Sequence, residues 1–125
     1  MESSPRKEIK NAKGDQTMIK PSKVVFIDDK LEKNFNSLKE EDPIKKGIVR
    51  AIKDLRQNAF SGIQVPKKLI PKEYLQKYEI NNLWKYDLPN GWRLLYTVTP
   101  ENEVEVISAI LEWFNHKDYE RKMKY

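Results

Sequence analysis

Residues 83–98 read LWKYDLPNGWRLLYTV, which is two strand-like runs joined by a tight turn. Asn90 and Gly91 tolerate the positive φ angles that a short hairpin turn requires. A third strand-like run follows at residues 104–111, after a looser turn at residues 100–103. Because β-branched, aromatic and other apolar residues dominate these runs, we predict an antiparallel meander of three strands.

The two faces of the central strand of this meander differ in chemistry, since side chains alternate between faces along a strand. One face holds the larger apolar and aromatic side chains, Trp92, Leu94, Tyr96 and Val98, and the other holds Arg93, Leu95 and Thr97. Arginine is rarely a core residue. We therefore expect the face of Arg93 to be open to a ligand, at least at the end of the strand where Arg93 lies.

The amino-terminal half of the chain predicts one strand and two longer helices. The predicted elements are a strand at residues 23–28, a helix from Asp28 or Asp29 to about Glu41, a helix that begins at Pro43 and ends before Ser61-Gly62, and a helical turn at residues 72–78. Residues 63–70 are predicted to be irregular, because prolines interrupt regular pairing. Strands and helices are thus segregated, and a short helical segment follows the meander, which indicates the α+β class.

The second predicted helix is amphipathic. Its apolar stripe consists of Ile44, Ile48, Ala51, Ile52 and Leu55, and its opposite face carries Lys45, Lys46, Arg50, Lys53 and Arg56. Such a basic face is either the solvated side of an exposed helix or a contact for nucleic acid. The sequence leaves both interpretations open.

Length and charge place one folded domain at residues 23–125, preceded by a disordered tail at residues 1–22. The chain has 125 residues and a net charge of +5. Residues 1–23 hold six Lys or Arg and three Asp or Glu, so the other 102 residues carry only +2. The overall positive charge is therefore weak evidence for a nucleic-acid ligand, and the position of individual cations matters more.

Several functional classes are disfavoured by residues that the sequence lacks. It has no cysteine and one histidine, which excludes disulfides, thiolate nucleophiles and the common structural zinc sites. No glycine-rich phosphate loop or Gly-flanked serine nucleophile is present. No apolar run approaches the roughly 20 residues of a membrane span, and nothing resembles a secretory signal, so we expect a cytoplasmic protein without membrane contact. Acid–base or electrostatic chemistry without metal or cofactor remains.

The residues that fit such chemistry lie in and after the meander: Lys85, Arg93, Glu112, His116, Lys117 and Tyr119. His116 can exchange a proton near neutral pH, and a helical spacing of three brings Tyr119 beside it. Arg93 suits phosphate, although an ion pair with Asp87 or Glu105 is an equal alternative. His116 also fits a plain surface residue, and the three tryptophans fit either a core or a base-stacking surface.

The meander and the segment after it resemble the RelE/ParE toxin superfamily over about residues 23–121. The resemblance rests on residues 83–88, on the strand Gly91-Trp92-Arg93-Leu94-Leu95-Tyr96, and on His116-Lys117-Asp118-Tyr119 one strand later. It implies a RelE-like fold and a toxin that a small antitoxin protein holds inactive. Many members of the superfamily cleave messenger RNA on the ribosome, and others inhibit DNA gyrase without cleaving RNA.

For the cleaving branch, the resemblance implies attack of the RNA 2′-hydroxyl on the adjacent phosphate. Arg93 would then stabilise the phosphorane, Lys85 would assist, His116 or Tyr119 would act as acid or base, and Glu112 would be a weaker base. The implied RNA-binding residues are Lys67, Lys68, Lys117 and Arg121, and no metal ligand is implied. Two departures stand out. The central strands carry few basic residues, and residues 63–80 are long for a compact toxin, so they either cover the cleft or contact an antitoxin. An inactive family member that serves as a binding module is a further alternative.

Overall fold

The computed structural model describes residues 19–123, which form an α+β fold with four α-helices and five strands. In chain order these are β1 (Ser22–Phe26), α1 (Asp29–Ser37), α2 (Pro43–Gln57), β2 (Ile63–Gln64), α3 (Lys72–Tyr78), β3 (Trp84–Asp87), β4 (Arg93–Pro100), β5 (Val106–Phe114) and α4 (His116–Met123). Single 3-10 turns lie at Lys67–Leu69 and Pro89–Gly91. The part of the predicted tail before residue 19 lies outside the described residues.

The strands form one mixed sheet in the order β1-β5-β4-β3-β2. β1 pairs with β5 in parallel, and the other neighbours are antiparallel, so the predicted meander is confirmed as β3-β4-β5. The turn between β3 and β4 has positive φ at Asn90 and Gly91 (60° and 80°), as predicted. The prediction that residues 63–70 are irregular is wrong at β2, whose two residues pair with Lys85 and Trp84. Pro66 lies beyond this short strand and therefore does not interrupt its pairing.

Both long helices begin where the sequence predicts. The Asp28 carboxylate accepts a hydrogen bond of 2.8 Å from the backbone N–H of Leu31, and Asp42 does the same for Ile44 at 2.8 Å. These bonds satisfy amide groups that the first helical turn leaves without partners. α1 ends at Ser37 rather than at Glu41, because the backbone turns extended at Leu38.

One face of the sheet packs on α1 and α2. Ile48, Ala51 and Leu55 of α2 are fully buried against Leu94, Tyr96 and Ile110 of the sheet. The three tryptophans pack around this first core and are half-buried, which agrees with their interpretation as core residues. The alternation predicted along β4 is thus confirmed for this face.

The opposite face of the sheet, which contains Arg93, is covered by residues 65–80 and by α4. Leu95 and Leu111 are fully buried there against Tyr74, Leu83 and Tyr119. The expectation that this face is open to a ligand is therefore wrong along β4, except at the end of the strand where Arg93 lies. The apolar side chains of α3, α4 and the loops beside α3 build a second core. The long segment at residues 63–80 supplies most of this cover.

A β-bulge shapes the same face. Leu95 pairs with Glu112, whereas the next residue, Tyr96, pairs with Ile110, so Leu111 is an extra residue in β5. β5 continues to Phe114, which pairs with Arg93, instead of ending at Leu111 as predicted. This extension brings the start of α4 to the end of β4 that carries Arg93.

Candidate functional site

Two cations from neighbouring strands converge on one tyrosine of α4. Lys85 of β3 pairs with Leu95 of β4, and Arg93 lies two residues before Leu95 in the same strand. Because residues two apart in a strand share a face, Lys85 and Arg93 lie on the same face of the sheet. The Lys85 Nζ lies 5.8 Å, and the Arg93 Cζ 5.7 Å, from the centroid of the Tyr119 ring. Both distances fall within the roughly 6 Å range of a cation–π contact. The cluster therefore concentrates two positive charges above a buried aromatic ring.

The guanidinium of Arg93 is held in place by its own turn. Nη1 donates hydrogen bonds to the backbone oxygens of Gly91 (2.8 Å) and Trp92 (3.2 Å). Nε lies 3.0 Å from the Asp87 Oδ1, so the ion pair with Asp87 that the sequence left open is formed. Nε is buried, yet no acceptor within residues 19–123 is aligned with its N–H. The contact with Asp87 is therefore an electrostatic one, without a well-formed hydrogen bond.

His116 lies beside the turn that holds Arg93. A Cβ placed on Gly91 would lie 3.4 Å from the His116 Cβ, and His116 is the first residue of α4. Its imidazole is exposed, and Nε2 lies 3.2 Å from the Glu120 Oε2. When Nε2 donates its proton to Glu120, Nδ1 of the neutral ring is left as the proton acceptor. The fold thus brings His116, Arg93, Lys85 and Tyr119 to one end of the sheet.

Glu112 lies on the same face but serves a different contact. Its carboxylate accepts a short hydrogen bond from the Tyr74 hydroxyl, and the Lys122 Nζ lies 4.0 Å away. Burial, and then the bond to Glu112, raises the pKa of Tyr74 far above its ordinary value. Lys122 also pairs with Glu73 at 2.8 Å. Glu112 thereby links the sheet to α3 and α4, and its carboxylate is engaged in this link.

The four predicted RNA-binding residues fall into two pairs, one on the 3-10 turn at Lys67–Leu69 and one on α4. Lys67 and Lys68 are exposed on the 3-10 turn, and within residues 19–123 neither ammonium group makes a hydrogen bond or an ion pair. Lys68 lines a groove of about 470 Å³ that also holds Lys122. Lys117 and Arg121 are exposed on α4, and Arg121 pairs with Asp118 at 3.3 Å. Among residues 19–123, no hydrogen bond or ion pair joins any of the four to Lys85 or Arg93.

Sequence reasoning missed a second polar cluster at the edge of the sheet. The Tyr86 hydroxyl donates to the Asp54 Oδ2 at 2.5 Å and accepts from the Arg50 Nε at 3.4 Å. Burial, and then the bond to Asp54, raises the pKa of Tyr86. These side chains line a groove of about 310 Å³ together with Lys85 and Asp87. The spacing of four between Arg50 and Asp54 on α2 is the one signal that could have indicated part of this cluster.

Glu120 was also missed, although its spacing of four from His116 on a helix could have revealed it. Among residues 19–123, no group of three His, Asp or Glu side chains is arranged to hold a metal ion. None of the helices within residues 19–123 has the length and apolar composition of a membrane-spanning helix.

Comparison of the chain with models of protein families, with curated proteins and with solved structures found no match. The chemistry and geometry of the residues at the end of the sheet are therefore the basis for assigning a function.

Proposed function

We propose that this chain is a RelE-like toxin that cleaves messenger RNA on the ribosome without a metal ion or cofactor. The observation that carries the proposal is the convergence of Lys85 and Arg93 on the Tyr119 ring, with His116 on the first turn of the same helix. Cations held in fixed positions stabilise charge that develops on a phosphate, because they need no reorganisation during the reaction.

The proposed reaction is internal transesterification of RNA. The 2′-hydroxyl loses its proton to a base and attacks the adjacent phosphorus, which forms a new P–O bond. The bond from phosphorus to the 5′-oxygen of the next nucleotide breaks, and that oxygen takes up a proton. The products are a 2′,3′-cyclic phosphate and a 5′-hydroxyl, so no water or redox partner is consumed.

Each residue of the cluster has a role in this reaction. Arg93 binds the non-bridging phosphate oxygens, for which its planar guanidinium is suited. Lys85, on the neighbouring strand, adds a second positive charge. His116 exchanges protons through Nδ1, with Glu120 fixing the ring, and Tyr119 supports both cations from below. Lys67, Lys68, Lys117 and Arg121 are assigned to more distant phosphates of the message.

A toxin of this kind requires a partner that keeps it inactive while the cell grows. We therefore include a small antitoxin protein in the proposal, in addition to the ribosome and its message, and we place the protein in the cytoplasm.

The link made by Glu112, Tyr74 and Lys122 keeps α4 on the sheet, so this link maintains the position of His116 and Tyr119.

A ParE-like toxin that inhibits DNA gyrase by protein contact is the second candidate. Two observations favour it. Most of the Arg93 face is covered, and Arg93 is already paired with Asp87. In addition, α2 exposes Lys46, Arg50, Lys53 and Arg56 to solvent, with half-exposed Val49 among them. Such a toxin would use this helix face and would not need the cluster at Tyr119.

One experiment distinguishes these candidates. The wild type, Arg93→Ala and the control Arg56→Ala are induced in cells, and messenger-RNA ends are mapped by primer extension. Arg56 is exposed on α2, so the control removes the same charge outside the cluster. Ribosome-phased cuts that vanish only in Arg93→Ala support RNA cleavage. Intact messages with gyrase-dependent DNA damage would support the second candidate, and unimpaired growth without cuts would contradict both.

A further inference from the structure

The contact between Asp87 and Arg93 lies where a phosphate would bind. Nη1 of Arg93 donates hydrogen bonds to two backbone oxygens, at 2.8 and 3.2 Å. The Nε and Nη2 edge of the guanidinium is the remaining edge that can bind two phosphate oxygens side by side. Asp87 Oδ1 lies 3.0 Å from Nε, and so it occupies part of this edge.

The two partners of this ion pair differ in their freedom to move. The Arg93 side chain is 21% exposed and fixed by its turn, whereas the Asp87 side chain is 65% exposed. The Nε–H is not aligned with any acceptor within the described residues, so a well-formed hydrogen bond is not lost when Asp87 leaves. Because the Asp87 side chain is largely exposed, its carboxylate regains water when it leaves, and this hydration offsets much of the lost attraction to Arg93. Asp87 is therefore a displaceable occupant of the Arg93 edge.

We infer that Asp87 competes with phosphate for Arg93 and so limits the affinity of the site for RNA. This inference rests on the proposed function, because Asp87 acts only through Arg93, the residue that is proposed to bind the phosphate of RNA. A phosphate that approaches Arg93 must displace the carboxylate, and until then it meets a like charge at short range. Asp87 thereby keeps the free protein in a state with low affinity for anions.

The inference is tested first by binding of inorganic phosphate, which needs no cleavage. The ¹⁵N resonance of the Arg93 Nε is followed during titration of the wild type, Asp87→Asn, Asp87→Glu and the control Glu101→Gln. Glu101 pairs with Lys23 at the other end of the sheet, so its variant makes the same change in charge away from the site. We expect the Kd to fall about five-fold in Asp87→Asn and to stay at the wild-type value in Asp87→Glu and Glu101→Gln. An unchanged or higher Kd in Asp87→Asn would overturn the inference.

A measurement on the wild type alone avoids any dependence on how the variants fold. The ¹³C resonance of the Asp87 carboxylate should shift together with the Arg93 Nε during the phosphate titration. A shift at Arg93 without one at Asp87, or no phosphate response at Arg93, would contradict competition.

Kinetics then connect Asp87 to the proposed function and separate the two claims. In ribosome-dependent cleavage, we expect Asp87→Asn to lower the KM about five-fold and to leave kcat within about two-fold, because Asp87 leaves before the chemical step. A fall in kcat without a fall in KM would overturn the inference. Absence of cleavage in the wild type would contradict the proposed function, whereas the phosphate titration would still decide the role of Asp87.

Discussion

Replacement of Tyr74 by phenylalanine tests how the cover of the sheet is held. The Tyr74 ring is 1% exposed and remains buried in the variant, so the change removes only the hydroxyl that donates to Glu112. A hydrogen bond to a charged group contributes about 1.5–3 kcal/mol. Because the Glu112 side chain is 31% exposed and can regain water, the lower part of this range applies, and we expect a loss of about 1.5–2 kcal/mol in the free energy of unfolding.

The assay is urea unfolding followed by tryptophan fluorescence, with Tyr78→Phe as the matched control. Tyr78 lies on the same helix, and its hydroxyl lies near the exposed ammonium of Lys77, so its removal should cost less than about 0.5 kcal/mol. In thermal unfolding, the midpoint of Tyr74→Phe should fall by about 5–10 °C. If the two variants were equally stable, the link between α3 and the sheet through Glu112 would be refuted.

Three further predictions concern stability at alkaline pH, Gly62 and His116. Burial raises the pKa of Tyr74, Tyr86 and Tyr96, so the unfolded chain releases these protons first as the pH rises. The free energy of unfolding should therefore be constant below about pH 10 and should decline above it, by about 1.4 kcal/mol per pH unit for each of Tyr74 and Tyr96 and with a smaller slope in Tyr74→Phe. Denaturant unfolding between pH 8 and 12 measures this slope, and equal slopes in the two proteins would contradict it. Gly62→Ala should lower the free energy of unfolding by about 1–3 kcal/mol, since its Cβ would lie 2.4 Å from the Lys85 carbonyl oxygen and 2.8 Å from the Tyr96 hydroxyl; a stability equal to the wild type in urea would show that this close approach is absent. His116→Ala should lower kcat of RNA cleavage by about 100-fold or more, as expected for loss of a general acid or base, while Glu120→Gln should lower it less; cleavage at the wild-type rate in His116→Ala would remove that residue from the mechanism.

Local patterns in the sequence predicted much of the fold. The caps at Asp28 and Asp42, the turn at Asn90 and Gly91, and the bounds of α3 all depend on neighbouring residues, and all are confirmed. The alternation along β4 correctly separated its two faces. These features are set by backbone preferences within a few residues, which a single sequence records.

The errors concern contacts between distant parts of the chain. β2 has only two residues and is defined by its pairing with β3, so it leaves no periodic signal of its own. The cover over Leu95 arises because residues 65–80 fold back on the sheet, which no local pattern indicates. Tyr74 and Glu112 are 38 residues apart in sequence, so their bond could not be read from spacing.

The candidate site was predicted unevenly for the same reason. Lys85, Arg93 and Tyr119 were named from the strand pattern and the family resemblance, and the fold brings them together. The ion pair of Arg93 with Asp87 was one of two predicted alternatives. A hairpin pattern shows which acidic residues can lie opposite Arg93, but it does not show which of them forms the ion pair. The bond between Tyr74 and Glu112 was not expected, and it agrees with the lower rank of Glu112 among the predicted bases, since it occupies the Glu112 carboxylate.

The most direct test of the central claim uses purified ribosomes carrying a message that the protein cuts. A matched message carries a single 2′-deoxynucleotide immediately before the cut position, which removes the attacking hydroxyl and leaves the phosphate in place. The proposed mechanism predicts that the wild-type protein cuts the all-ribose message to a 2′,3′-cyclic phosphate end and does not cut the substituted one, and that Arg93→Ala cuts neither. Cutting of the substituted message at the same position, or cutting of the all-ribose message by Arg93→Ala at the wild-type rate, would contradict it.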